Sequence, residues 1–262
     1  MKKSKLISQL ALATAMSAAS LAPQTASALT TWGNGGCVWS GDMAGNLCTI
    51  GTGNAKVNVT AYGTTDLAPV QGWETATLMN YSGGFGVKNR GTNDPGEGTN
   101  PEHAIDNNGN NGTAGGFITD ALLFSFEQST ILRNLTIGWK SGDADISVLR
   151  YTGQLPPVLT DKTPSGLLSS GWQLVGQYGN VTTNTNQAIN ASGGASSWWL
   201  VTAYNSAFQN KGWTMGDDYF KLLSVAGDQP PPQSQTPEPA SLALVGLAAL
   251  SLGYARRRRL PR

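Results

Sequence analysis

The side chains able to do chemistry are few, and they are mostly carboxylates. Among 262 residues there is one histidine, His103, and two cysteines, Cys37 and Cys48. A His- or Cys-rich metal site needs several such ligands, and one imidazole cannot build a cluster of catalytic histidines. Asp94, Glu97, Glu102 and Asp106 lie in NRGTNDPGEGTNPEHAIDNNGNNGTAGG (89–116), interleaved with Asn and Gly. Ca²⁺ takes its oxygens from carboxylates and carbonyls, so this composition suits calcium. The spacing follows neither the EF-hand nor the RTX pattern, and a solvated loop that uses Asn and Asp for turns explains the same residues. Glu102 and Asp106 also have the form of a general acid/base pair, although paired carboxylates are common in acidic loops. A loop of this length inside a domain is usually functional or disordered.

Two further constellations stand apart. Asp143 and Asp145, in SGDADIS (141–147), share a face at i and i+2 where a strand begins. They either contribute to an ion site or keep a sheet edge soluble, and the solvated edge is the expectation. Trp198 and Trp199 are adjacent, so on a strand one ring points inward and one outward. An outward Trp would stack on a sugar ring, while burial on both faces explains the pair equally well.

The elements that must position these groups read as strands. AKVNVTAY (55–62) sets Ala55, Val57, Val59 and Ala61 against Lys56, Asn58, Thr60 and Tyr62, a period-two pattern with one buried face. Leu122, Phe124 and Phe126 align in DALLFSFE (120–127), and Leu135, Ile137 and Trp139 in LTIGWK (135–140). DISVLRY (145–151) carries apolar residues on both faces; GWQLVGQY (171–178), SWWLVTAY (197–204) and YFKLLSV (219–225) complete the set. Gly, Asn, Asp or Pro bound each one. DKTPSGLLSSG (161–171) has room for one helical turn. Many short strands between turns predict an all-β fold, an antiparallel β-sandwich of jelly-roll-like form.

Charge separates the ends from the middle. The whole chain sums to +1, yet residues 29–236 hold nine Lys and Arg against fifteen Asp and Glu, a balance near −6. The domain is therefore mildly acidic, which argues against nucleic acid and anionic lipid surfaces as partners. Aromatic content of 8% is too rich for a disordered chain.

Residues 1–28 read as a secretory signal peptide handled by the Sec translocon and signal peptidase. Lys2, Lys3 and Lys5 precede an apolar run from Leu6 to Leu21, and Ala26-Ser27-Ala28 supplies the small-x-small step, with cleavage expected after Ala28. An N-terminal membrane anchor fits less well, because Ser, Gln and Thr interrupt the run. Export in turn favours a disulfide between Cys37 and Cys48 over a free thiol pair or a metal site.

At the other end, DQPPPQSQT (228–236) leads into Pro237-Glu238-Pro239, an apolar stretch from Ala240 to Ala255, and Arg256-Arg257-Arg258-Arg259. Taken bare, this is a membrane anchor slightly short of the ~20 residues of a spanning helix, with its tail held on the cytoplasmic side. The order of parts closely resembles the PEP-CTERM sorting signal of Gram-negative bacteria. That resemblance implies recognition by a membrane-embedded exosortase, cleavage near the PEP tripeptide and passage outward. In the middle of the chain, PEHAIDNNGN, DALLFSF, LTIGWKSGDADISVLRYTG and GDDYFKLLSVAG occur in this order. Together they resemble a group of exosortase-dependent surface proteins, for which no catalytic residue is implied; here NGTAGG (111–116) lengthens the loop after IDN.

The expected organisation is a signal-peptide helix (1–28), a β-sandwich extracellular domain (29–227), a Pro/Gln-rich linker (228–236) and a sorting signal with a hydrophobic helix (237–262). The expected function is that of a non-catalytic surface or extracellular protein, structural or adhesive, anchored transiently in the inner membrane and processed by exosortase. Binding of exopolysaccharide, with or without calcium, is the alternative.

Overall fold

A computed structural model describes residues 29–64, 71–90, 103–110 and 117–229. The expected signal peptide, the expected linker from residue 230 onward and the sorting signal lie outside the described residues, as do Asp94, Glu97 and Glu102. In chain order the strands are β1 (Thr30–Gly33), β2 (Val38–Trp39), β3 (Leu47–Ile50), β4 (Val57–Thr64), β5 (Trp73–Thr75), β6 (Thr77–Tyr81), β7 (Gly84–Lys88) and β8 (Ile105–Asp106). They continue with β9 (Gly109–Asn110), β10 (Phe117–Ile118), β11 (Asp120–Lys140), β12 (Ile146–Tyr151), β13 (Trp172–Tyr178), β14 (Gln187–Ala188), β15 (Ser196–Ala203) and β16 (Tyr219–Asp228). A short helix, α1 (Pro164–Leu168), interrupts them. All the ladders between these strands are antiparallel, as expected.

The segments expected as two strands, 120–127 and 135–140, are one strand of 21 residues. Its first part runs between β4 and β15, with Phe124 opposite both Val59 and Trp199. Its second part, from Ile131 to Lys140, pairs with β16. The ladder to β15 jumps from Ser125↔Trp198 to Thr130↔Ser196, so the intervening residues of β11 have no regular partners there. Such an irregularity bends a strand. Here it carries β11 from one layer into the other, and the sheet curls into a sandwich ordered β13-β12-β15-β11-β16-β7-β6.

Alternation then decides burial. Val57, Val59 and Ala61 of β4 and Leu122, Phe124 and Phe126 of β11 point into the space between layers, where they meet Leu132, Leu135, Ile137, Phe220 and Leu222. The opposite face of the same layer is covered as well. Leu123, Leu149, Leu200 and Trp172 pack beneath Trp73, Leu159 and Leu167. This second cluster is why β12 has no polar face, as its sequence suggested. The helical turn expected within 161–171 is α1, with Pro164 in its first turn and Thr163 capping it by accepting from the Gly166 N–H at 3.1 Å. Cys37 and Cys48 form the expected disulfide, which ties the chain just before β2 to the centre of β3.

Candidate functional site

Two places gather polar or aromatic side chains beyond what the sandwich needs. The first is acidic. Where β11 ends, Ser141 and Gly142 turn the chain, Gly142 at a φ of +68° that L side chains rarely adopt. The next residues run beside the start of β16. The Asp143 N–H donates to the Asp217 carbonyl at 3.3 Å, and the Tyr219 N–H donates to the Asp143 carbonyl at 3.1 Å. This brings the carboxylates of Asp143, Asp145 and Asp218 within 4.8 Å of one another.

Each carboxylate is held by donors. Asp218 Oδ1 accepts from the Asp145 N–H at 2.6 Å, and its Oδ2 accepts from Asn107 Nδ2 at 2.5 Å. Asp145 Oδ1 accepts from the Asn180 N–H at 2.6 Å, and Asp143 Oδ1 from the Ala144 N–H at 2.7 Å. Asn107 organises the floor. Its Oδ1 accepts from the N–H groups of Gly216 (2.9 Å) and Asp218 (3.2 Å), while its Nδ2 also donates to the Tyr204 carbonyl at 3.0 Å. Burial pushes Asp218 up to about 8 against these hydrogen bonds, with the charges of Asp145 and Asp217 adding to the rise. Burial likewise raises Asp145, helped by Asp143 and Asp217 and opposed by the Asn180 N–H and Lys140. Three clustered carboxylates of this kind can share a proton or hold a hard cation such as Ca²⁺, and Asp143, Asp145 and Asp218 are the residues that would hold it.

Several expectations change here. Asp145 does not lie on a solvated edge: it is 5% exposed, packed under the 178–180 turn. Asp106, expected in a calcium loop, is also buried. It sits opposite Tyr219 in the β8–β16 ladder, and its Oδ1 accepts from the Asn108 N–H at 3.1 Å. It is not among the grouped carboxylates. Its neighbour Asn107 is the loop residue that reaches them. The sequence does not single out Asn107 and Asp218 as site residues, although both fall in segments that carry the family resemblance, IDNN and GDDY. Sequence shows no link between two positions 111 residues apart.

The second place is a cleft of about 370 Å³ lined by Arg150, Tyr151, Gln154, Ser129, Ser197 and Trp198, among others. It opens where the β11–β15 ladder breaks. Ser196 closes the gap between strands, its Oγ donating to the Tyr151 carbonyl at 2.6 Å and accepting from the Trp198 N–H at 2.9 Å. The Tyr151 and Trp198 rings consequently meet edge to face, with centroids 5.8 Å apart. Glycines make room for Tyr151: a Cβ on Gly153 would come within 2.5 Å of its ring, and one on Gly171 within 2.9 Å. Of the tryptophan pair proposed for sugar stacking, Trp198 is half-buried and lines this cleft. Trp199 is not available to a sugar, contrary to expectation. It is fully buried between the layers, and its indole N–H lies within bonding distance of the Thr130 and Ser196 carbonyls. The pairing Ser125↔Trp198, with Phe124↔Trp199 beside it, decides which ring turns inward.

Beyond the described strands, residues 235–259 match the family described as the PEP-CTERM protein-sorting motif. The chain carries a PEP-CTERM sorting signal. Pro237, Glu238, Pro239 and Arg256 to Arg259 all fall within the matched span. The PEP-CTERM tail identifies an exported protein targeted to exosortase, destined for the cell surface or the extracellular space. No curated protein and no solved structure matches the chain.

Proposed function

We propose that this protein is a non-catalytic component of the cell envelope or extracellular matrix, with a structural or adhesive role, delivered by exosortase. The observation that carries the reading is the PEP-CTERM motif at 235–259, which follows the last described strand, ending at Asp228. In this reading the Sec translocon exports the chain and signal peptidase cuts after Ala28. The apolar stretch 240–255 then halts in the inner membrane, and Arg256 to Arg259 hold it there. Exosortase cuts near the PEP tripeptide, and the sandwich passes to the surface or the medium. The disulfide and the two packed cores suit a domain that must persist outside the cell.

Replacing Glu238 with Ala, or the four Arg with Ser, is expected to leave uncleaved precursor in the inner membrane. Membrane fractionation and blotting read this directly, and normal processing of both variants would refute the mechanism.

A second reading is carbohydrate binding, favoured by the Tyr151–Trp198 cleft. Aromatic faces beside hydroxyl and amide groups are the means by which proteins grip sugar rings. Pull-down with the polysaccharide of the producing cell, lost on Trp198→Ala, is the corresponding test.

A further inference from the structure

The cleft beside Trp198 holds a cation, Arg150. Arg150 follows Leu149 on β12, opposite Gln173 on one side and Trp199 on the other. Its Nη2 donates to Gln173 Oε1 at 2.8 Å and its Nη1 to the Ala195 carbonyl at 3.3 Å. Both acceptors are neutral. Among the described residues no carboxylate forms an ion pair with Arg150, and none lines the cleft. The guanidinium is also held in place, because it lies against Gly194: a Cβ there would come within 2.5 Å of its Cζ. Among the described residues two N–H groups are engaged, and three of the five donors of the fork remain for a ligand.

We infer that this cleft binds a carboxylated sugar, a uronate-type residue of an acidic polysaccharide. The inference rests on the carbohydrate reading above and sharpens it to a ligand class. Tyr151 and Trp198 supply ring surface, and Ser129, Thr152, Gln154 and Ser197 supply partners for sugar hydroxyls. Arg150 supplies the planar donor pair that matches a carboxylate in two-point fashion. A volume of about 370 Å³ is at the lower end of ligand pockets and fits one or two sugar units rather than a long chain segment. Neutral sugars would leave the guanidinium unmatched, whereas a uronate satisfies its charge and its geometry together.

The test uses the full chain purified in mild detergent and titrated with oligogalacturonate, its methyl ester and neutral malto-oligosaccharides, followed by tryptophan fluorescence and calorimetry. Expected is saturable binding of oligogalacturonate, weakened at least tenfold by esterification, by raised salt and by Arg150→Gln. Gly194→Ala, which displaces the guanidinium without removing it, should weaken binding likewise, and thermal melts of both variants check that the fold survives. The esterification and salt arms use the unaltered protein, so they decide the matter even if a variant misfolds. Equal binding of acid and ester would overturn the uronate assignment while keeping a carbohydrate site. Absence of binding to every sugar tested would overturn both.

Discussion

Raising the pH from 5 to 8 in the presence of a chelator should destabilise this protein, and the loss should run through Asp218. This side chain is fully buried, and burial lifts it from its ordinary 3.8 to about 8. In the folded chain it therefore holds a proton that the unfolded chain has released. Its contribution to stability is fully present below about pH 4, falls as the pH climbs towards 8, and is gone above that. The slope is at most ~1.4 kcal/mol per pH unit for one proton. Across three units that amounts to at most ~4 kcal/mol, or roughly a 10 °C fall in Tm for a domain of this size. Asp145 is displaced in the same direction and adds to the trend. Tyr62 and Tyr178, both raised by burial from 10.0, titrate beyond this window and do not disturb it. Circular dichroism melts at pH 5, 6, 7 and 8 in EDTA give the curve, and Asp218→Asn should flatten it. A wild-type melting temperature that stays level or rises over this range would refute the reasoning. At pH 8 the same melts, repeated with millimolar Ca²⁺, separate the two uses of the cluster. Bound cation must raise the Tm, and an unmoved Tm leaves proton sharing alone.

Three further outcomes follow from particular contacts. Replacing both Cys37 and Cys48 with Ala should cost about 2–3 kcal/mol by the loop-entropy estimate, measured by urea denaturation of oxidised wild type against the variant. Trp199→Ala should cost about 3–5 kcal/mol, since it empties a site between the layers. Trp198→Ala, at a half-buried site that packs on the second cluster and against Tyr151, should cost clearly less, so equal losses for the two would contradict the inward–outward assignment. Gly84→Ala should destabilise by at least ~2 kcal/mol, because Gly84 has a φ of +124° and a Cβ there would lie 2.5 Å from the Leu222 backbone; a melt within 1 °C of wild type would show that β7 and β16 are not so closely apposed.

The parts of the fold that were legible are those where one layer face meets the core and the other side of the strand alternates with it. Val57, Val59 and Ala61 announce β4, and Leu122, Phe124 and Phe126 announce the first part of β11. The join between the two parts of β11 was not legible. QSTILRN looks like a connection, yet its residues carry the strand across from one layer to the other, and only the pairing with both β15 and β16 shows why. The β6–β7 hairpin does not show in the sequence because YSGGFGVK has the composition of a turn, while Gly84 serves a close backbone approach. Among site residues, the shared face of Asp143 and Asp145 could be read from their spacing. Their burial could not, because it depends on Asp218, 73 residues from Asp145, and on Asn107. The tryptophan pair posed the same difficulty in miniature: strand geometry requires one ring in and one out, and the register against Ser125 chooses between them. Arg150 gave no sign at all. Its position in an alternating strand says nothing about Gly194, the backbone that receives its guanidinium.

The central claim is that export machinery removes both ends of this chain and delivers the domain between them. Intact-mass analysis of the protein recovered from cells and from the medium tests it most directly. The account predicts a species that begins at Leu29 and ends near Pro237-Glu238-Pro239, with any covalent addition visible at the new C-terminus, and a longer precursor confined to the membrane fraction. A single species retaining residues 240–262 in every fraction would contradict it.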